Sequence, residues 1–344
     1  MSKKKSHIIF SPGVHTGGGL VLLKAALVNF PKNLPLTLFL DIRISKLINI
    51  PENAKVFWIN PNLFSRILFE WKLFRITTEN TILLSFTSLP PLFRNKGYVI
   101  VFHQNSILLQ DTTLKVFSKI KEFKFILKRL YSKIYKKNIN EYIVQTPSME
   151  VLLKKFYDSK INVRVIPFAE NLSSTKLNDN RGGFLYIADG NAHKNHYNLL
   201  EAWSLLGKNG FKPKLFLTLS ENDKLLLKKI EYLCLVEGLE IYNIDKNNRH
   251  DILDIYKSSE ALIFPSLYES FGLPLIEASQ MGLPILASEL DYVREACDPV
   301  ETFDPNSPKS IMKAVYRFIG KSYPKVKIES PIIFLNEIGI DQKH

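Results

Sequence analysis

The sequence predicts an α/β protein made of two doubly wound parallel-sheet domains. Three observations lead there. Short runs rich in Val, Ile and Phe alternate with stretches of helical periodicity, a polar stretch interrupts this alternation near the middle of the chain, and the alternation then restarts. With 344 residues, 46% of them hydrophobic, there is enough chain for two domains that each bury a core.

In the first half the strand-like runs are, in order, "HIIFSP", "LTLFLD", "KVFWIN", "TILLSF", "YVIVFHQ", "EYIVQT" and "NVRVIPF". Helical segments such as "LVLLKAALVNF" and "PSMEVLLKKFY" lie between several of them. Strands that are apolar along their length, on a β-α-β rhythm, need cover on both faces, which is the signature of a parallel sheet in a Rossmann-like domain. This domain is expected over residues 1–168. The polar stretch "ENLSSTKLNDNRGG" places a linker at residues 169–182. A second Rossmann-like domain follows over residues 183–320, from the runs "FLYIAD", "KLFLTLS", "LEIYNI", "EALIFPS", "PILAS" and "ETFDP", each followed by a plausible helix. Residues 321–344 form an irregular tail to which no role is given.

The chain carries a formal charge of +13, unevenly distributed. Residues 1–170 hold 26 Lys and Arg against 10 Asp and Glu, whereas residues 171–344 hold 20 against 23. A basic half can meet nucleic acid, anionic lipid or a phosphorylated substrate, and composition does not choose among them. The longest uncharged apolar stretches fall short of the roughly 20 residues that cross a bilayer, and "MSKKKSHIIFSPG" has no signal-peptide core, so a cytoplasmic protein is expected. Cys234 and Cys297 have neither disulfide-framework nor zinc-ligand spacing and read as packed thiols.

The most informative stretch is "PSLYESFGLPLIEASQMGLP", Pro265 to Pro284. It follows the apolar run "ALIF" and holds two acids, Glu269 and Glu277, in an otherwise uncharged segment. A strand that ends in a Gly/Pro turn and restarts as a helix puts that turn at the mouth of an α/β sheet, where such folds bind ligands. Backbone N–H groups around Gly272, with Pro274 in the first helical turn, suit a diphosphate. Glu277, expected in the first turn, would accept hydrogen bonds from vicinal hydroxyls, and Glu269 could reach another polyol. Taken singly, Glu277 could merely complement the helix dipole and Glu269 be a solvated loop acid. The pair with "FGLP" between them favours a ligand.

"FPSLYESFGLPLIEASQMGLPILAS" resembles the nucleotide-sugar signature of retaining GT-B glycosyltransferases, in particular glycosyltransferase family 4 (glycosyl transferases group 1). The resemblance is strong over residues 184–310 and looser in the first half. It implies the GT-B fold, two Rossmann-like domains facing across a cleft, and transfer from a nucleotide-diphosphate sugar with retention of configuration and no metal or other cofactor. Residue by residue it implies that Glu269 contacts donor-sugar hydroxyls, that Ser270, Phe271, Gly272 and Leu273 offer amides to sugar and phosphate, and that Glu277 holds the ribose. In "FLYIADGNAHKNHYNLLEAW", Lys194 opens a helix, a place that disfavours cations unless another charge is to be met. It could neutralise the departing diphosphate. Relatives often carry an arginine shortly before this lysine; here Asp189 stands in that region. In "SPGVHTGGGL" the glycines Gly17, Gly18 and Gly19 would let backbone approach a phosphate or sugar, with His15 a minor acceptor-side candidate. His103 ends the run "YVIVFHQN", where the resemblance places a histidine near the reacting sugar.

The segment from Thr112 to Asn140 reads as one amphipathic helix with nine Lys or Arg and one Glu. Its apolar stripe, through Val116, Ile120, Phe123, Leu127, Leu130 and Ile134, is expected to pack on the sheet. Phe125 would then point outward among Lys121, Lys124 and Lys128, a face suited to an anionic membrane.

The resemblance, together with the basic first half, implies a glycosyltransferase that uses a nucleotide-diphosphate sugar and a glycan or polyprenyl-diphosphate-linked acceptor, and leads to the expectation of bacterial surface polysaccharide (O-antigen, capsule or lipopolysaccharide) assembly, peripheral on the inner face of the plasma membrane. No Asp-x-Asp pair or other metal cluster is present in the sequence, and no nucleic-acid partner is expected. Two rival readings are a GT-B sugar-nucleotide epimerase, which would convert the donor alone, and a non-catalytic basic protein binding nucleic acid or lipid.

Overall fold

The computed structural model describes residues 5–110, 119–244 and 249–321, with Ser330, Pro331 and Ile333 of the tail. Its first domain has seven strands: β1 (Ser6–Ser11), β2 (Leu36–Asp41), β3 (Ala54–Ile59), β4 (Thr81–Ser85), β5 (Tyr98–Phe102), β6 (Glu141–Val144) and β7 (Val163–Val165). Each matches an expected run to within a residue. They form one parallel sheet in the order β3-β2-β1-β4-β5-β6-β7. Side chains alternate between faces along a strand, so Ile8 and Phe10 of β1 pack with Phe39, Leu83 and Leu73, whereas Ile9 packs with Leu22, Leu23 and Leu38. Helices α1 (Gly17–Val28) and α2 (Leu63–Ile76) supply those layers. The domain is completed by α3 (Lys119–Tyr135) and α4 (Pro147–Phe156). Asn62 caps α2 through Ser65 N–H at 2.7 Å, and Thr146 caps α4 ahead of Pro147.

The second domain is a six-stranded parallel sheet, in the order β10-β9-β8-β11-β12-β13. The strands are β8 (Phe184–Tyr186), β9 (Leu215–Leu217), β10 (Ile241–Asn243), β11 (Ala261–Phe264), β12 (Ile285–Ser288) and β13 (Glu301–Phe303). Each is followed by its helix: α5 (His196–Lys208), α6 (Lys224–Glu237), α7 (Arg249–Ser258), α8 (Leu273–Gln280), α9 (Asp291–Ala296) and α10 (Pro308–Phe318). One contiguous core fills both faces, and Leu172, upstream of β8, is buried in it.

In both sheets the strand order reverses direction at one point, between β1 and β4 and between β8 and β11. Loops leaving the carboxyl ends of such neighbours diverge and open a crevice, the usual ligand site of doubly wound folds. Gly13 to Gly19 follow β1. Asp189 to Lys194 follow β8, and Pro265 to Gly272 follow β11.

Two expectations about α3 are corrected. Its stripe is uncovered: Phe123, Leu127, Leu130 and Ile134 are all exposed, because the side turned to the domain carries Ser132, Phe125 and Arg129. Phe125 is accordingly half-buried, with Lys128 Nζ 5.7 Å from its ring centre, and is no outward probe. Lys124 is exposed, while the side chains of Lys121 and Ile120, and residue Val116, lie outside the described residues. Among the described residues no helix is long and apolar enough to cross a membrane.

Candidate active site

Lys194 and Glu269 leave the two strands that flank the reversal in the second sheet. They meet there: Lys194 Nζ donates to Glu269 Oε1 at 2.6 Å, with the side chains 17% and 12% exposed. Lys194 does not sit in the helix but in a single 3-10 turn, Ala192–Lys194, just before α5. Asn195 ends that turn in the left-handed region (φ 63°), which asparagine tolerates better than most residues. Its Nδ2 donates to Pro265 O at 3.0 Å and Pro305 O at 2.7 Å, tying the turn to the loops after β11 and β13. The Lys194 carbonyl accepts from Tyr186 Oη at 2.6 Å, and Leu267 N donates to His193 O at 2.8 Å. The lysine is therefore held from its backbone outward.

The surroundings are acidic. Burial would raise the Asp189 carboxyl, but the charge of Lys194 and a hydrogen bond with Asn191 outweigh it and hold the group below its ordinary range. Burial, reinforced by Lys194, pushes His193 down, so it is neutral at pH 7. Tyr186 and Tyr292 are pushed far up, first by burial and also by the Glu269 charge. A lysine with one carboxylate in contact and a second within electrostatic reach has its charge matched before any ligand arrives.

Beyond Glu269 the loop crosses to the first domain. Ser270 Oγ donates to Gln104 O at 2.8 Å, and the Phe271 and Leu273 side chains are buried in the first domain's cluster with Leu22, Phe86 and Phe102. Their side chains face protein, which leaves the backbone of this loop as what a ligand could meet. Gly272 adopts φ 72°, a left-handed conformation that favours glycine, and a Cβ there would fall 2.9 Å from Leu275 Cδ1. At the start of α8, Pro274 carries no N–H, and the Leu275 and Ile276 amides already donate to Gly272 O at 2.8 and 3.4 Å.

Glu277 is the fifth residue of α8 and so stands in its second turn, a correction to the first-turn expectation, because the helix already starts at Leu273, directly after Gly272. It is buried, and its Oε2 accepts from Tyr256 Oη at 2.8 Å.

In the first domain, Gly18 and Gly19 abut this seam. A Cβ on Gly18 would lie 3.7 Å from Leu273 Cδ2, and one on Gly19 would lie 3.3 Å from Gln104 Oε1. Gly17 takes φ 64°. His103 is buried and its Nε2 donates to Asn105 O at 3.1 Å, with burial pulling its pKa down to about 4. His15 stays outside this group: Arg43 donates to its Nε2 at 3.1 Å, leaving Nδ1–H to donate to Gly13 O at 3.0 Å. Arg43 in turn grips Asp41, which accepts the Gly13 N–H at 3.1 Å and fixes the loop.

Sequence reasoning passed over Gln104, Asn195 and Tyr256. Gln104 joins the seam through its carbonyl and has a buried side-chain nitrogen without a partner among the described residues. An asparagine directly after "HK", where a strand-to-helix turn needs a left-handed residue, was a usable signal; nothing in the sequence pairs Tyr256 with Glu277. Among the described residues no group of three or more His, Cys, Asp or Glu side chains is arranged to hold a metal.

Two Rossmann-like domains, with a cation–carboxylate pair at the second domain's reversal point and a glycine turn across the seam, define the GT-B class of glycosyltransferase folds. Solved structures agree in architecture. A sucrose-phosphate synthase from Thermosynechococcus elongatus matches at TM-score 0.72 and 16% identity, covering 92% of this chain and 90% of that one. Anabaena HepE in complex with UDP-glucose matches at TM-score 0.69 and 14% identity, covering 91% and 89%. Residues 168–327 match the family described as glycosyl transferases group 1, and the second domain belongs to that family. Among curated proteins, the serotype-specific mannosyltransferase WbdA of Escherichia coli is 28% identical over 140 residues, 40% of this chain and 17% of the relative. O-antigen chain mannosyltransferase B of Escherichia coli is 34% identical over 62 residues, 18% of this chain and 16% of the relative. The chain thus matches under a fifth of the length of these curated relatives.

Proposed function

We propose that the protein transfers a hexose from a nucleotide-diphosphate sugar to a glycan hydroxyl with retention of configuration, dividing the work between an acceptor domain (residues 1–168) and a donor domain (residues 183–320). The observation that carries this reading is the Lys194–Glu269 pair at the reversal of the second sheet. A diphosphate takes Lys194, and sugar hydroxyls take Glu269. Glu277 holds the ribose, oriented by Tyr256, and the loop amides from Ser270 to Leu273 meet the phosphate and sugar. The bond from the anomeric carbon to the diphosphate oxygen breaks, the acceptor oxygen bonds to that carbon on the same face, and the acceptor's proton passes to the departing diphosphate. Lys194 stabilises charge that grows as this happens. His103, neutral at pH 7, acts as a hydrogen-bonding group beside the sugar rather than as a cation.

The names of the curated relatives make a mannosyl donor the first to try, and polysaccharide assembly on a polyprenyl-diphosphate carrier the setting, with the protein peripheral on the inner face of the membrane. The test is a panel of nucleotide sugars read as protection against thermal unfolding, followed by product analysis with acceptor present. One protective donor and a glycosylated acceptor are expected. Conversion of the donor without an acceptor product would reassign the protein as an epimerase, and absence of protection by every donor would remove the reading.

A further inference from the structure

We propose that α2 and α3 together form a surface that docks on anionic lipid. On α2 the residues Leu63, Phe64, Ile67, Leu68 and Trp71 are all exposed, Leu63 by 74% and Phe64 by 79%, and their spacing places them on one side of the helix. The opposite side carries Ser65 and Leu73 into the domain. The uncovered stripe of α3 adds Phe123, Leu130 and Ile134.

The two helices are neighbours. Glu70 of α2 accepts from Leu92 N at 2.8 Å, and Tyr131 of α3 donates to Pro90 O at 3.0 Å, so both grip the same short loop. Arg66 of α2 also contributes, after burial and with Lys124, to holding Lys128 of α3 below its ordinary range. Two adjacent helices that each expose an apolar stripe make a patch larger than a solitary surface leucine.

Charge identifies the occupant. The two helices hold nine Lys or Arg against two Glu, and Glu70 is buried. A second copy of the chain would set two such cationic faces against each other. Nucleic acid would match the charge and leave the apolar residues wet. An anionic bilayer accepts both, apolar side chains below the headgroups and lysines among them. Trp71, stacked on by Arg75 at 5.5 Å, has the amphipathic character of an interfacial anchor.

Topology gives the surface a purpose. Three residues separate β3 from α2, so Leu63 and Phe64 stand at the carboxyl end of the sheet, the end that also carries the Gly17–Gly19 start of α1 and Gln104. A protein seated on these helices brings its cleft end toward the bilayer, where a lipid-carried acceptor would lie. The docking argument uses no property of the sugar site, and only this purpose rests on the acceptor proposed above.

The test compares vesicles of phosphatidylglycerol mixed with phosphatidylcholine against phosphatidylcholine alone. Wild-type protein is expected to sediment with the anionic vesicles, with a blue shift in Trp71 emission that Trp71→Phe removes. Phe64→Gln with Leu68→Gln, and separately Phe123→Gln with Leu130→Gln, should each reduce partitioning at least about tenfold. Thermal protection by a nucleotide sugar should be unchanged in both pairs, which shows that the fold and donor site persist. Wild-type partitioning in both pairs, or no binding of wild type to either vesicle, overturns the proposal. So does a solution dimer that either pair abolishes, which would assign the face to a second copy. A protein that docks normally and transfers no sugar would sink the enzymatic reading alone.

Discussion

Glu269→Gln should tighten the binding of nucleoside diphosphate while weakening that of the intact nucleotide sugar. The opposed signs come from the 2.6 Å Lys194–Glu269 contact. With both side chains mostly buried, a diphosphate can engage Lys194 only by separating the pair. At an effective dielectric constant near 20 such a contact is worth roughly 6 kcal/mol before desolvation, and separation is partly offset by the incoming phosphate. Removing the carboxylate charge should therefore leave a net gain of about 1–2 kcal/mol for the diphosphate, on the order of 5- to 30-fold in affinity. The nucleotide sugar gains the same amount but loses a charge-assisted bond from its hydroxyls, about 1.5–3 kcal/mol, and at the middle of both ranges should bind about 0.5–1 kcal/mol, roughly two- to fivefold, more weakly. Calorimetric titration of the wild type and variant with each ligand resolves the two signs. The unliganded variant should also melt earlier, because Lys194 is left without its partner, and regain its stability on adding the diphosphate. Weaker diphosphate binding by the variant would refute the exchange of partners and would mean that Glu269 supports the phosphate site rather than competing for its cation.

Three further outcomes are expected. Lys194→Ala should lower turnover by roughly 10²–10³-fold at saturating donor, measured by product formation, since charge on the leaving diphosphate grows in the transition state; unaltered turnover would mean the charge is neutralised elsewhere. Tyr256→Phe removes the hydroxyl at 2.8 Å from Glu277 and should weaken donor binding by about 0.5–1.5 kcal/mol while also lowering the melting temperature of the unliganded protein, since a buried carboxylate loses a donor; a titration indistinguishable from wild type would separate Glu277 from the ribose. His103 should make the fold acid-sensitive: the unfolded chain takes up a proton below about pH 6.5 and the folded one only near pH 4, so stability is intact above pH 6.5 and falls by up to about 3 kcal/mol as pH drops through that window. His193, also pushed down by burial, acts in the same direction, so His103→Gln should flatten the limb without abolishing it; an unchanged limb in denaturant titrations would place the sensitivity elsewhere.

The sheets were legible because their central strands are buried on both faces and read as apolar runs: all thirteen strands match those runs to within a residue, and the Glu269–Glu277 loop stands where the strand-turn-helix pattern put it. What periodicity could not reveal was the partner of each apolar face. Phe123 and Leu130 repeat as a packed helix would, yet nothing in a repeat says whether protein or another phase covers it. Phe271 and Leu273 looked like part of a ligand loop, and their burial in the other domain depends on how two separately folded sheets meet. Glu277 was expected in the first turn, whereas α8 begins at Leu273 and counts Glu277 as its fifth residue, just past that turn. Tyr256 lies 21 residues from its carboxylate partner, beyond the reach of any local pattern.

The loop that carries Glu269 also carries Phe271 and Leu273, the two side chains lodged in the opposite domain. Pulling them out would return two large apolar groups to water at a cost of roughly 3–6 kcal/mol. The latch and Glu269 are thus one piece of chain, two to four residues apart. A rotation that parted the domains by rigid swing would drag the Glu269 carboxylate along with the bolt, whereas one that pivoted about the lodged side chains would leave the carboxylate in place and widen the far side of the cleft. The second route spares the latch, and on it Ser270 to Leu273 would be the fulcrum of any parting of the domains.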